Sequence, residues 1–348
     1  MLFDYIILTS CSRFQKGRSI AAIYHLLKGK RSIQTLQDAR LYQLEHFFGV
    51  YPTLRKQDFD QRIHKLCTNN YLLLINKTAV SPSKAAYEWM NDQVEKLPIQ
   101  YFNGSKFHRL APVFFERLLL LIQTLTNSKM GNLNFIPVVD KPVVTGWVKQ
   151  QFYQCRNDLD TFLSNLYDEL HALLQQFSEL EASVFTDSLT GYQQYGLSSF
   201  QISEDYGLDK LDVPLLKTAI THRMLTIIGQ NQETCPLLAH IMKELPKESE
   251  LSNSAEKTKN LLDNQYTAEE IATIRKLKLN TIYDHLVEIA LYDVHFPLSQ
   301  YVTPAEQAEI KKAVQSTLTY KLKDIKQEVN ESISYFQIRL VLAVERLS

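Results

Sequence analysis

The most informative stretch of the chain is NQYTAEEIATIRKLKLNTIYDHLVEIALYD, which runs from Asn264 to Asp293. Its apolar residues recur at helical spacing, and this pattern predicts two short helices joined by a tight turn. Thr267 is followed three residues later by Glu270, which predicts a capping box at the start of the first helix. Asn280 is a good N-cap, so we expect the second helix to begin just after it.

The spacing of small and apolar residues in this stretch is typical of a helix-turn-helix. Ala272 is small enough for two helices to cross closely, and Ile282, ten residues later, would fill the junction between them. Ile282, Leu286 and Ile289 share one face of the second helix. The alternative is an ordinary helical hairpin with a solvated turn.

A basic turn joins the two predicted helices, and no acidic residue occurs from Thr273 to Leu279. Basic side chains beside a helix N-terminus suit contact with phosphate groups. The pattern therefore predicts a nucleic-acid-binding surface here. Its candidate residues are Arg275, Lys276, Lys278, Asn280, Thr281, Tyr283 and His285.

Two sequence runs resemble a known bacterial module. The residues EIA at 270–272, an eight-residue gap and TIYDHL at 281–286 resemble the helix-turn-helix appended to the C-terminus of many RecQ-type helicases. The run ISYFQIRLVLAVERL, from Ile333 to Leu347, is similar to the segment that follows it there. By length and order of segments, and by phrases such as HLLKGKRSIQTLQDARLYQL, the whole chain resembles the YpbB family of Firmicute helix-turn-helix proteins. That resemblance implies a partnership with a RecQ-type DNA helicase in DNA repair or recombination.

Composition describes a folded, mainly α protein. The 348 residues suggest two or three domains, and 45% of them are hydrophobic, with only 10 Gly and 11 Pro. The 38 Lys and Arg residues balance the 38 Asp and Glu residues. A net charge of zero excludes a chain that coats nucleic acid through bulk charge, so any binding must use local patches.

Sequence signals for catalysis and for metal binding are weak. The sequence has no P-loop and no H-E-x-x-H or G-x-S-x-G motif, so we expect a non-enzyme with no cofactor and no small-molecule substrate. The four cysteines are far apart in sequence, which favours reduced thiols in a cytoplasmic protein without a zinc site. His285 and Glu288 could share a metal, but a solvated polar pair is the better interpretation. The apolar run from Leu2 to Leu8 is too short for a membrane span.

The N-terminal region predicts a winged-helix-like module. Helices are expected at Ile20 to Lys28, at Ser32 to Phe48, where Gly49 would end the helix, and at Arg55 to Thr68. A two-stranded ribbon should follow in YLLLINKTAVSP. Winged helices bind DNA through the third helix, but they also dock proteins. The candidate contacts are Lys30, Arg31, Arg55, Lys56, Gln57, Gln61, His64 and Lys65.

The middle of the chain predicts a helical body. Leucines from Trp147 to Phe177 have the spacing of core packing. The segment from Ser198 to Val213 repeats the helix-turn-helix spacing, but its acids favour a protein contact. We expect domains at 1–96 (the winged-helix-like module), 97–245 (the helical body) and 261–348 (the helix-turn-helix with C-terminal helices), with a polar linker at 246–260.

Two main hypotheses for function follow. The first is a non-catalytic accessory protein that holds duplex or single-stranded DNA near a RecQ-type helicase. The second is a scaffold whose helix-turn-helix folds bind only protein, which Asp284 and Glu288 favour because carboxylates repel phosphate groups. A transcription factor is the weakest alternative, since the charge is neutral and no effector domain is evident. No membrane partner is expected.

Overall fold

The computed structural model is described for residues 1–14, 18–76, 79–243, 245, 251–317 and 319–344. The chain forms two compact units. The first unit contains Met1–Ile7, His46–Leu54 and Tyr87–Pro246. The second unit contains Leu8–Glu45, Arg55–Ala86 and Lys247–Ser348.

The expected fold class, mainly α, is confirmed. The strands are β1 (Leu72–Leu74) and β2 (Val80–Pro82), which pair antiparallel with Leu73 opposite Ser81. The helices are α1 (Leu2–Arg13), α2 (Ile20–Leu27), α3 (Ile33–Leu41), α4 (Lys56–Thr68), α5 (Lys84–Gln93), α6 (Gly104–Phe107), α7 (Leu110–Lys129), α8 (Pro142–Cys155), α9 (Leu159–Leu174), α10 (Glu179–Thr186), α11 (Ser199–Asp205), α12 (Asp212–Gln230), α13 (Pro236–Lys243), α14 (Asn253–Asp263), α15 (Ala268–Arg275), α16 (Leu279–Tyr292), α17 (Pro304–Thr317), α18 (Leu322–Glu328) and α19 (Tyr335–Val344). No helix within the described ranges is long and apolar enough to cross a membrane.

The two units divide the chain differently from the predicted domains. The predicted module 1–96 contributes to both units, and its helices α2 to α4 and its hairpin share the second unit with residues 247–348. The physical reason is long-range packing, since α3 contacts both α16 and α19. The Gln37 side chain donates to the backbone oxygen of Arg339 at 3.0 Å, and Arg40 donates to that of Leu291.

The structure has the order predicted for a winged helix, which is α2, α3, α4, β1 and β2. The second helix is shorter than predicted. Instead of running to Phe48, α3 ends at Leu41. Gln43 adopts a left-handed conformation with φ 54°, and the Leu44 N–H donates to the Ala39 oxygen at 2.7 Å. This is the hydrogen bond of a Schellman C-cap, so the helix stops before the expected Gly49.

The predicted linker at 246–260 is wrong over its second half, where the chain forms α14; residues 246–250 lie outside the described residues. Ser252 caps this helix by accepting from the Ala255 N–H at 3.1 Å. Ala255 and Thr258 are fully buried. Because both side chains are small, α14 packs closely on α16 while its other faces stay polar, which explains its linker-like composition.

The middle of the chain is helical, as expected. The long stretch from Trp147 to Phe177 is broken into α8 and α9 by a turn at Arg156–Asp158. The third helix-turn-helix-like segment does form α11 and α12, with Gly207 in the left-handed turn at φ 62°. However, α12 is buried along most of its length, so it cannot enter a DNA groove.

Candidate nucleic-acid interface

The helix-turn-helix predicted from Asn264 to Asp293 is present in the second unit. Thr267 accepts from the Glu270 N–H, and the Glu270 carboxylate accepts from the Thr267 N–H at 2.8 Å, so the capping box is confirmed. Lys276 ends α15 in a left-handed conformation with φ 53°. The N-cap of α16 is Lys278, two residues earlier than the predicted Asn280.

The first turn of α16 is open to solvent, whereas most of the helix after it is covered; Asp284 is half-buried and Tyr292, the last residue, is exposed. Ile282 and every residue from His285 to Leu291 are buried, because α3, α14, α15 and α19 all contact this helix. A DNA-reading helix contacts base edges mainly with its N-terminal residues. The end of α16 that a groove could receive is therefore the end next to the basic turn.

Arg275 faces inward and is not available for phosphate. Its guanidinium donates to the Ser254 backbone oxygen at 2.7 Å, to the Ser254 Oγ at 3.0 Å and to the Thr258 Oγ1. These bonds hold α14 against α15. The position of Arg275 does not support the predicted DNA contact, because its guanidinium is bonded to α14.

His285 and Tyr283 are also engaged in contacts within the protein. His285 is buried, with Nδ1 at 2.9 Å from the Thr258 Oγ1, and burial together with the charge of Arg275 lowers the pKa of His285. The Tyr283 ring stacks on Phe336 with centroids 3.9 Å apart. The expectation that these two side chains contact DNA is therefore not supported by their positions.

Three predicted contacts remain on the surface at this end of the motif. Lys276, Lys278 and Asn280 are exposed, and Thr281 beside them is half-buried. We call Lys276, Lys278 and Asn280 the basic corner. Sequence reasoning missed a further exposed cation, Lys257, because it was assigned to the linker. It precedes Thr258 on α14, the helix that Arg275 holds against this motif.

The sequence suggested that the two acidic residues on α16 repel phosphate groups, but both carboxylates are paired within the protein. The Glu288 carboxylate is buried and accepts from the Ser252 N–H at 2.6 Å, the Ser252 Oγ at 2.9 Å and Arg31 at 3.2 Å. Asp284 pairs with Arg339 at 2.7 Å. The interpretation of His285 and Glu288 as a solvated pair is wrong, since both are buried and each bonds to the α14 region.

The predicted contacts of the N-terminal region divide into two groups. Arg31 is taken up by its ion pair with Glu288, whereas Lys30 next to it is exposed. The outer face of α4 is exposed as predicted, at Lys56, Gln57, Gln61, His64 and Lys65. Arg55 pairs with Asp58 at 2.6 Å and Lys56 pairs with Asp60, so neighbouring carboxylates offset part of the charge of this face. Its attraction for phosphate is therefore weaker than the cation count implied.

Comparison with known proteins agrees with this architecture. A family model described as a helix-turn-helix domain matches residues 254–342. The match begins in α14 and ends in α19, so it includes the helix that the sequence had assigned to the linker. No solved structure matches the chain.

A curated relative matches almost the full length. Protein YpbB of Bacillus subtilis (strain 168) is 30% identical over 343 residues, which cover 98% of this chain and 96% of the relative. An alignment of this extent includes both compact units and not the helix-turn-helix alone. The chain therefore belongs to the YpbB family.

Proposed function

We propose that this chain is a non-catalytic DNA-binding accessory protein of the cytoplasm, which acts with a RecQ-type DNA helicase in DNA repair or recombination. The observation that carries the DNA-binding half is the basic corner. It places Lys276, Lys278 and Asn280 beside the open first turn of α16, while Ile282 and the residues from His285 to Leu291 are buried. The overall charge is zero, so DNA affinity has to come from this local patch.

The variant Lys276→Ala with Lys278→Ala is expected to weaken binding to duplex or forked DNA. Loss of two phosphate contacts should flatten the log–log dependence of affinity on salt by roughly 2. Both side chains are exposed, so the fold should be retained. Fluorescence anisotropy of labelled DNA over a salt series measures both the affinity and the slope.

The matched control removes two exposed lysines outside the basic corner, Lys312 and Lys323. This control should keep the salt slope of the unmodified protein. Arg275→Ala is a different test, since it should lower thermal stability by removing the bonds to α14. If the lysine pair and its control give the same affinity and slope, the basic corner is not the DNA site.

The helicase partnership rests on the likeness of residues 270–286 and 333–347 to a module fused onto RecQ-type helicases. Of these, residues 345–347 lie outside the described residues. A module fused in one protein can act in trans in another, because fusion mainly raises the effective concentration. We place the docking surface for the helicase on the Leu-rich region from Trp147 to Phe177. On α9 it exposes Tyr167, stacked on His171 with ring centroids 5.7 Å apart.

Co-purification of the two proteins tests this partnership. Tyr167→Glu should abolish the complex and leave DNA binding intact, since a charge is introduced into the proposed contact. The control is Tyr195→Glu, which alters an 80% exposed tyrosine of the first unit outside that region. Absence of any complex at micromolar concentration would remove the helicase from the proposal.

One observation favours a scaffold as the second candidate. Because α3, α14 and α19 cover most of α16, the motif has little surface left for a groove. A protein that binds a helicase but shows no salt-dependent DNA binding would support the scaffold.

A further inference from the structure

A cleft of about 870 Å³ opens in the second unit, outside the basic corner. It is bounded by the end of α14, the start of α15, Tyr283 of α16 and the loop that precedes α17. Its volume is in the range of sites that bury a ligand or an anchoring side chain. The proposed DNA contact does not use these residues.

The floor of the cleft is aromatic. Tyr283 and Phe336 are stacked with an interplanar angle of 14°, and Tyr301 meets Phe336 edge-on with centroids 5.9 Å apart. Tyr301 also stacks on Phe296 at 5.7 Å. Tyr283, Tyr301 and Phe336 are only partly buried, so part of their ring surface faces the opening of the cleft. Aromatic faces are electron-rich and attract cations.

The rim of the cleft is acidic. Lys259 is paired with Asp293 at 2.7 Å, which neutralises one carboxylate. Asp263 and Glu269 are exposed on the lining. Glu269 lines the same cleft as Tyr283 and Tyr301, and its negative charge adds to burial in raising the pKa of Tyr301. One cation and three carboxylates leave the lining with a net charge of about −2.

We propose that this cleft binds a basic peptide segment of a partner protein by taking an Arg or Lys side chain onto its aromatic floor. A cation there gains the attraction of the rings and of the Asp263 and Glu269 carboxylates. A phosphate backbone would be repelled by the same carboxylates. An uncharged apolar segment would cover them without giving them a partner, which costs free energy.

With a basic peptide in the cleft, the two ends of α15 would bind different partners: the peptide at its N-terminal end and DNA at its C-terminal end. Glu269 lies in its first turn and Lys276 at its C-terminal end. A helix of eight residues is about 12 Å long. The acidic cleft and the basic corner are therefore separate surfaces, and a basic peptide and DNA could occupy the protein together.

The test uses the full-length protein and a fluorescein-labelled hexa-arginine peptide in fluorescence anisotropy. Asp263→Asn with Glu269→Gln should weaken peptide binding about tenfold at low salt. The control, Glu328→Gln with Glu331→Gln, removes two exposed acids that do not line the cleft and should leave the affinity unchanged. Equal affinities for the cleft variant and the control would overturn the proposal.

A second variant separates the aromatic contribution from charge. Tyr283→Leu keeps an apolar side chain but removes one ring face, and it should weaken peptide binding about fivefold. Labelled oligothymidine serves as the competing ligand, because single-stranded bases also stack on aromatic rings. If Tyr283→Leu weakens oligothymidine binding while Glu269→Gln strengthens it, the cleft is a nucleic-acid site and the proposal is wrong. This inference does not rest on the helicase partnership, and the peptide assay contains neither helicase nor DNA.

Discussion

Glu288→Ala is expected to lower the free energy of unfolding by about 3 kcal/mol, because it removes one partner from a buried ion pair. The carboxylate accepts two hydrogen bonds from Ser252 and one from Arg31. Its removal takes one acceptor away from Arg31, whose side chain is only 19% exposed, and removes both acceptor contacts of Ser252 at the start of α14. The loss should appear in urea denaturation followed by circular dichroism, with faster amide exchange in α14 and α16.

Asp284→Ala is the matched control on the same helix. Asp284 is 48% exposed at its side chain and pairs with Arg339 on the surface. Surface pairs of this kind contribute at most about 1 kcal/mol. Similar losses for the two variants would contradict the structural role assigned to Glu288. Both variants remove a carboxylate from α16. The comparison therefore tests the effect of burying that carboxylate and its hydrogen bonds.

Acidification is expected to destabilise the first unit through His222. This histidine is fully buried in α12, and its Nδ1 accepts from the Asn103 N–H at 3.0 Å. Burial, helped by the nearby charge of His108, lowers the pKa of His222 from 6.5 to about 3. The unfolded chain therefore binds the proton more tightly, and stability falls as the pH drops from 6.5 towards 3. The loss is about 1.4 kcal/mol per pH unit, or about 2 kcal/mol at pH 5.

His222→Gln tests this expectation, since its amide oxygen can still accept from Asn103 but does not titrate. Trp89 and Trp147 both belong to the first unit, so tryptophan fluorescence reports its unfolding. The difference in stability between pH 7 and pH 5 should shrink in His222→Gln. It should stay unchanged in His171→Gln, where the histidine is exposed. An unchanged difference in His222→Gln would show that other groups cause the acid sensitivity.

The sequence by itself determined the local elements of this protein. The capping box at Thr267, the helix-turn-helix spacing and the hairpin after α4 all depend on residues within a few positions of one another. Such signals survive in any tertiary context. They were sufficient for the fold class, for the helix-turn-helix and for the exposed face of α4.

Only the tertiary structure decided which of the predicted site residues remain at the surface. Arg275 bonds to Thr258, 17 residues away, and Arg31 pairs with Glu288, 257 residues away. Neither partner can be deduced from local pattern, because a basic residue in a turn looks the same whether its charge is solvated or paired. The same holds for α14. Its polar sequence resembles a linker, and only the structure shows that Ala255 and Thr258 are buried where α14 packs on α16. Packing between distant segments thus reduced seven candidate contacts in the C-terminal motif to the three residues of the basic corner and the half-buried Thr281 beside them.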